Sequence, residues 1–131
     1  MLEVAMPGTK LKIELARVYH APPPDGHYRV LIDRIWPRGV TKEDLEIDVW
    51  MKDLAPSTEL RKWFNHDPER WDEFRKRYFK ELDVRADLVS ELLESAGHRT
   101  LLLLYGAKDE EHNQAVALKE WLEKHAATLK K

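Results

Sequence analysis

Thr100-Leu101-Leu102-Leu103-Leu104-Tyr105 (TLLLLY) decides the architecture, because every position after the first is large and apolar or aromatic. A strand with one wet face alternates. An unbroken apolar run signals a strand in a sheet covered on both faces. Val30-Leu31-Ile32, inside a second predicted strand over Tyr28 to Asp33, has the same character. Lys12 to Tyr19 (KIELARVY) alternates in part and predicts a first strand. The stretch between these two, His20 to His27 (HAPPPDGH), carries three prolines and a glycine and must be a loop.

Helices supply the covering layers. Ser57 is a candidate N-cap, with Leu60, Trp63 and Phe64 on one face behind it. Asp67-Pro68-Glu69 is a start signal made of a cap, a proline at the first helical position and an acid in the first turn. Trp71, Phe74, Tyr78 and Leu82 then recur at spacings of three and four. A further helix is predicted from Arg85 to Ala96, ended by Gly97. The last runs from about Asp109 to His125, with Ala115, Leu118, Trp121 and Leu122 facing in. Residues 39–56 stay open: Thr41 could cap a short turn, and Ile47 to Met51 fits either a third strand or a helical piece. The expectation is an α/β domain: a small, mostly parallel or mixed sheet of three to four strands with helices packed on it. It spans 1–131 as a single domain, with residues 1–10 as a loose N-terminal arm.

Composition narrows the function. The net charge of −2 gives no global field to draw in nucleic acid or an anionic membrane, so any basic site is a local patch. With no cysteine there is no disulfide, thiolate nucleophile or Cys-based zinc site. No apolar run approaches the roughly 20 residues that span a bilayer. The N-terminus does not pattern as a signal peptide, so a cytoplasmic location is the default expectation. Charged residues make up 35% of the chain, while Asn and Gln together occur three times, a balance that hints at a heat-adapted source.

In open α/β sheets ligands gather at the carboxyl ends of parallel strands. Two predicted strand ends carry unusual chemistry: Asp33-Arg34-Ile35-Trp36-Pro37-Arg38-Gly39, and Gly106-Ala107-Lys108-Asp109-Glu110-Glu111-His112-Asn113. If the strands run parallel, the two segments face one crevice. Arg34 and Arg38 stay charged near neutrality and suit a carboxylate or phosphate. Trp36 could stack on a planar ligand, and Lys108 adds charge. Against this, Arg34 could pair with Asp33, Asp109 or Glu111 while Trp36 simply packs.

Asp109, Glu110 and Glu111 would repel a phosphate at the helix start, so an anion would meet Arg34, Arg38 and Lys108 rather than the helix end. Asp109 and His112, three apart on a predicted helical face, could move a proton, supply two ligands of a metal site, or form a cap with its histidine. No metal or cofactor site is read from the pattern. Asn113 could bond a ligand or a loop carbonyl. Arg61, Lys62, Arg70, Arg75, Lys76 and Arg77 sit among acids and read as a solvated face.

Val30 to Gly39 (VLIDRIWPRG), Leu54 to Arg77 and Leu102 to Asn113 (LLLYGAKDEEHN) resemble the YeaO-like branch of domain-of-unknown-function family 488, over about residues 13–123. The resemblance implies an α/β fold and adds no substrate, since no activity is established for the family. Asp33, Arg34, Pro37, Arg38, Lys108, Asp109 and His112 fall on its motif positions, with a different arginine spacing. Other members carry a cysteine near the position of Asn113. Any chemistry that needs that cysteine is not shared here.

Three functions follow as expectations. The first is binding of a small anionic molecule (a carboxylate, phosphate or nucleotide) through Asp33, Arg34, Trp36, Arg38, Lys108 and Asn113, with acid/base work by Asp109 and His112. The second is a nucleic-acid-associated accessory module, which the balanced charge disfavours. The third is a protein–protein adaptor, for example a homodimer: five tryptophans exceed what a small core needs, so some are expected on the surface.

Overall fold

The computed structural model describes residues 11–129, with side chains over 11–125. The expected N-terminal arm, residues 1–10, lies outside the described residues. Strands β1 (Ile13–Arg17), β2 (His27–Leu31), β3 (Val49–Trp50) and β4 (Thr100–Tyr105) form one sheet in the order β1-β4-β2-β3. All pairings are parallel. The TLLLLY run is an interior strand, with Leu103 between Leu15 of β1 and Val30 of β2. Its unbroken apolar character follows: Leu101 and Leu103 enter the core on one face, and Leu102 and Leu104 the core on the other.

The two faces are covered unequally. Helices α2 (Thr58–Phe64), α3 (Trp71–Asp83), α4 (Ala86–Ala96) and α5 (Gln114–Leu129) lie on one face. Phe74, Tyr78 and Leu82 of α3 pack there with Leu92 and Leu93 of α4 and Leu118, Trp121 and Leu122 of α5. The other face carries a short helix, α1 (Lys42–Leu45), and loops, which bury Val18, Leu31, Leu45, Leu102 and Leu104. Arg29, on β2, is buried in this thinner layer. Its guanidinium donates to the carbonyls of Pro22, Leu45 and Glu46 at 2.7–3.2 Å, tying the proline-rich loop and the end of α1 to the sheet. A buried charge is tolerable when its donors are satisfied this way.

The caps explain most boundaries. Ser57 Oγ accepts from the Leu60 N–H at 3.1 Å, and Glu81 of α3 accepts from both the N–H and the hydroxyl of Ser57. Thr41 Oγ1 accepts from the Asp44 N–H and starts α1, while Ile47 to Met51 contains a strand of two residues. Asp67-Pro68-Glu69 opens a 3-10 turn, and the α-helix proper begins at Trp71.

Two expectations need correcting. The last helix begins at Gln114, not near Asp109. The Asp109 carboxylate takes the N–H groups of Glu111 and His112 and closes a separate turn. Asn113 Oδ1 then takes those of Ala115 and Val116 and caps the helix. The expected exposed tryptophans are only part-exposed: Trp121 is buried, and Trp36, Trp50, Trp63 and Trp71 are half-buried. Among the described residues no helix is long and apolar enough to cross a membrane.

Candidate functional site

The carboxyl ends of the four strands open on one hollow of about 820 Å³. Its wall comes from the segments after β1, β2, β3 and β4 and from α2 and α3. All eight residues singled out at the strand ends line it: Asp33, Arg34, Trp36, Arg38, Lys108, Asp109, His112 and Asn113. The parallel sheet brings them together, because Leu31 and Leu104 are register partners and both chains leave the sheet at the same level.

They do different things there. Asp33 is a clamp. Its Oδ2 accepts from the Gly106 N–H at 2.9 Å, and its Oδ1 from the Gln114 side-chain amide, which also reaches the Ile32 carbonyl. The backbone oxygen of Asp33 accepts from the Trp50 indole N–H. Loss of water pushes the Asp33 carboxyl up to about 6, against the pull of the Gly106 and Gln114 hydrogen bonds and the nearby Arg61 charge. Gly106 makes the clamp feasible, since a Cβ there would lie 2.8 Å from Asp33 Oδ2.

Arg34 spends donors on the structure. Its Nε and one terminal nitrogen donate to the Pro56 and Ala55 carbonyls, both at 3.0 Å. That holds the segment before α2 against the end of β2. Arg17 does the same on the other side, donating to the carbonyls of Ala107 and Gly106. Trp36 donates its indole N–H to the Val40 carbonyl and meets Trp50 edge-on at 5.4 Å, so much of the ring packs. Asn113 is buried, and its side-chain nitrogen donates to the Asp109 carbonyl while its oxygen caps α5.

Arg38 and Lys108 differ. Both are exposed, line the hollow, and have no side-chain hydrogen bond or ion pair among the described residues. Arg61, which sequence reasoning placed on a solvated face, is a third such cation. His66 also lines the hollow, on a backbone turned to φ 54 just after Asn65 at φ 49. Neither Arg61 nor His66 could be recognised from spacing, because α2 and the turn after it meet the strand ends only in the fold.

His112 and Asp109 are paired, though not on a helical face as expected. The Asp109 turn brings Nδ1 within 2.9 Å of Asp109 Oδ2, and the ring rests edge-on against Trp71 at 5.3 Å. The Glu111 N–H above all, then the His112 ring and N–H, hold the Asp109 carboxyl below the usual carboxylate range. Nε2 has no partner among the described residues. No third donor joins the pair: among the described residues no group of three or more His, Asp or Glu side chains could hold a metal ion. Glu110 and Glu111 stay outside the lining, so Asp109 is the sole member of that acidic trio on the hollow.

The fold and hollow define a small parallel α/β domain with a strand-end crevice. The chain belongs to domain-of-unknown-function family 488: the model of its inactive DUF488-N3 subclade matches residues 12–131. It is 41% identical over 111 residues to an uncharacterised protein of Mycobacterium tuberculosis, covering 85% of this chain and 93% of that one. It is 40% identical over 112 residues to the uncharacterised protein YeaO of Escherichia coli, covering 86% and 97%. No solved structure matches the chain significantly.

Proposed function

We propose that this domain binds a small anionic molecule in the strand-end hollow, with Arg38, Lys108 and Arg61 supplying the attraction. One observation carries the reading: three exposed cations without internal partners among the described residues surround a single hollow. A volume of about 820 Å³ suits a small molecule. Half-buried and buried apolar side chains between the cations lower the local dielectric and strengthen an ionic contact. Arg34 and Arg17 brace the loops, so little ordering cost remains for the ligand to offset. The description of the matching subclade as inactive favours binding without turnover. His112 Nε2 then serves as one more hydrogen-bonding atom. Proton transfer by the same pair is a second reading, favoured by the 2.9 Å Asp109–His112 contact. Turnover of a bound compound, lost in His112→Ala, would establish it.

Thermal unfolding of the wild type and of Arg38→Ala/Lys108→Ala tests the main reading. The screen covers phosphate, aliphatic and aromatic carboxylates and nucleotides. An anion at about 100 times its Kd adds roughly 2.7 kcal/mol to the wild type. The expected result is a rise in Tm for the wild type that the double variant lacks. Equal rises in both proteins, or none in the wild type, would remove the reading.

A further inference from the structure

The lining of the hollow divides by exposure and chemistry. Arg38, Arg61 and Lys108 are exposed, with Ile35, Tyr19 and His66. A second group is apolar and buried: Pro37, Ala55, Pro56, Phe64 and Phe74. The carboxyl of Asp33, also on the lining, lies beside Gly106 and Gln114, all half-buried. A carboxylate offers about four lone-pair positions. Asp33 uses one on each oxygen, for Gly106 and Gln114, and makes no salt bridge among the described residues. It remains an acceptor on a hollow that is also lined by buried apolar side chains and three exposed cations.

From this we infer the ligand class: an anionic head, an apolar body and, at the far end, an O–H or N–H that donates to Asp33. The inference rests on the anion-site reading above and fixes the orientation of what binds. The head stays with Arg38 and Lys108, because the Asp33 carboxylate repels it. The body lies along Phe64, Phe74 and Pro56. The donor replaces water at Asp33, where a hydrogen bond to a charged acceptor in a desolvated place counts for more than one at the surface. Asp33 is thus a specificity-determining residue. It also discriminates against anions with an acceptor at the far end, which would face two lone pairs with no proton between them.

Phenylacetate, 3-hydroxyphenylacetate and 4-hydroxyphenylacetate are suitable probes, alike in head and body and differing in one donor. Calorimetric or NMR titration of the full chain is expected to show a hydroxylated probe binding at least about tenfold more tightly than phenylacetate. In Asp33→Asn, which keeps one acceptor oxygen but loses the charge, that preference should shrink. In Arg38→Ala both kinds of probe should weaken while the preference remains. The wild type also provides a readout that does not depend on a variant folding. The Asp33 side-chain carboxyl carbon resonance should shift with the hydroxylated probe and stay still with phenylacetate. Equal affinities for all three probes would overturn the inference and leave the anion site standing. Failure of every probe to bind at millimolar concentration would overturn both.

Discussion

Asp33 shows how much one side chain can carry. Its carboxyl, ordinarily at 3.8, is raised to about 6 in the fold by desolvation. Between those values the folded chain binds more protons than the unfolded one, so stability falls as pH rises through the window. The penalty is absent below 3.8 and complete above about 6. It is worth at most about 3 kcal/mol. Asp109 and Glu120 are depressed and act in the opposite sense, losing stability as pH falls. A bare pH–stability profile therefore mixes the contributions, and Asp33→Asn separates them. Urea unfolding across pH 4 to 7 is expected to show the wild type losing ground to the variant as pH rises, with most of the change before neutrality. A constant difference would mean that Asp33 is not desolvated. The residue stands out in the sequence as a carboxylate ending an apolar strand. Its partner Gly106 lies 73 positions away, and no local pattern reveals that contact.

Among the elements, the apolar periods of α3 and α4 and the unbroken run of β4 were readable because packing against one core imposes them. The start of α5 was not. Asp109, Glu110 and Glu111 have the composition of a cap and an acidic first turn, and Asn113 offers a second cap four residues on. The choice between them depends on where β4 releases the chain, which Arg17 fixes by holding the carbonyls of Gly106 and Ala107. Likewise Arg34 looked like a ligand fork, and only the fold brings the Ala55 and Pro56 carbonyls to it. Asn113→Ala is expected to cost roughly 1–2 kcal/mol through loss of the α5 cap. Asp109→Ala should cost less, since it opens a turn outside the helix, and should instead free the His112 ring. Chemical denaturation ranks the two, and His112 ring resonances report the second effect. A larger loss in Asp109→Ala would place the true helix start there.

At the scale of the whole molecule, the sheet is held from two sides with unequal strength. One side has four helices sharing a core that includes Phe74, Tyr78, Leu103 and Trp121. The other has a four-residue helix, loops and the small cluster around Leu31, Leu45 and Leu104. The thin side depends on directional bonds from Arg29 and on the Trp36–Trp50 contact more than on buried area. Regions with few apolar contacts open before the global transition. Amides of α1 and β3 are therefore expected to exchange with solvent through a smaller opening than those of β4, whose protection should approach the global stability. Arg29→Met would sharpen the contrast. It removes the donors to Pro22, Leu45 and Glu46, so exchange over residues 42–50 should accelerate far more than exchange over α3 and α4. Trp36, Pro37 and Arg38 belong to the connection leading into this thin layer, so its opening loosens one wall of the hollow. A ligand bound at Arg38 should accordingly slow exchange at residues 42–50, although none of them lines the site. Uniform acceleration across both layers in Arg29→Met would show instead that they unfold as one unit.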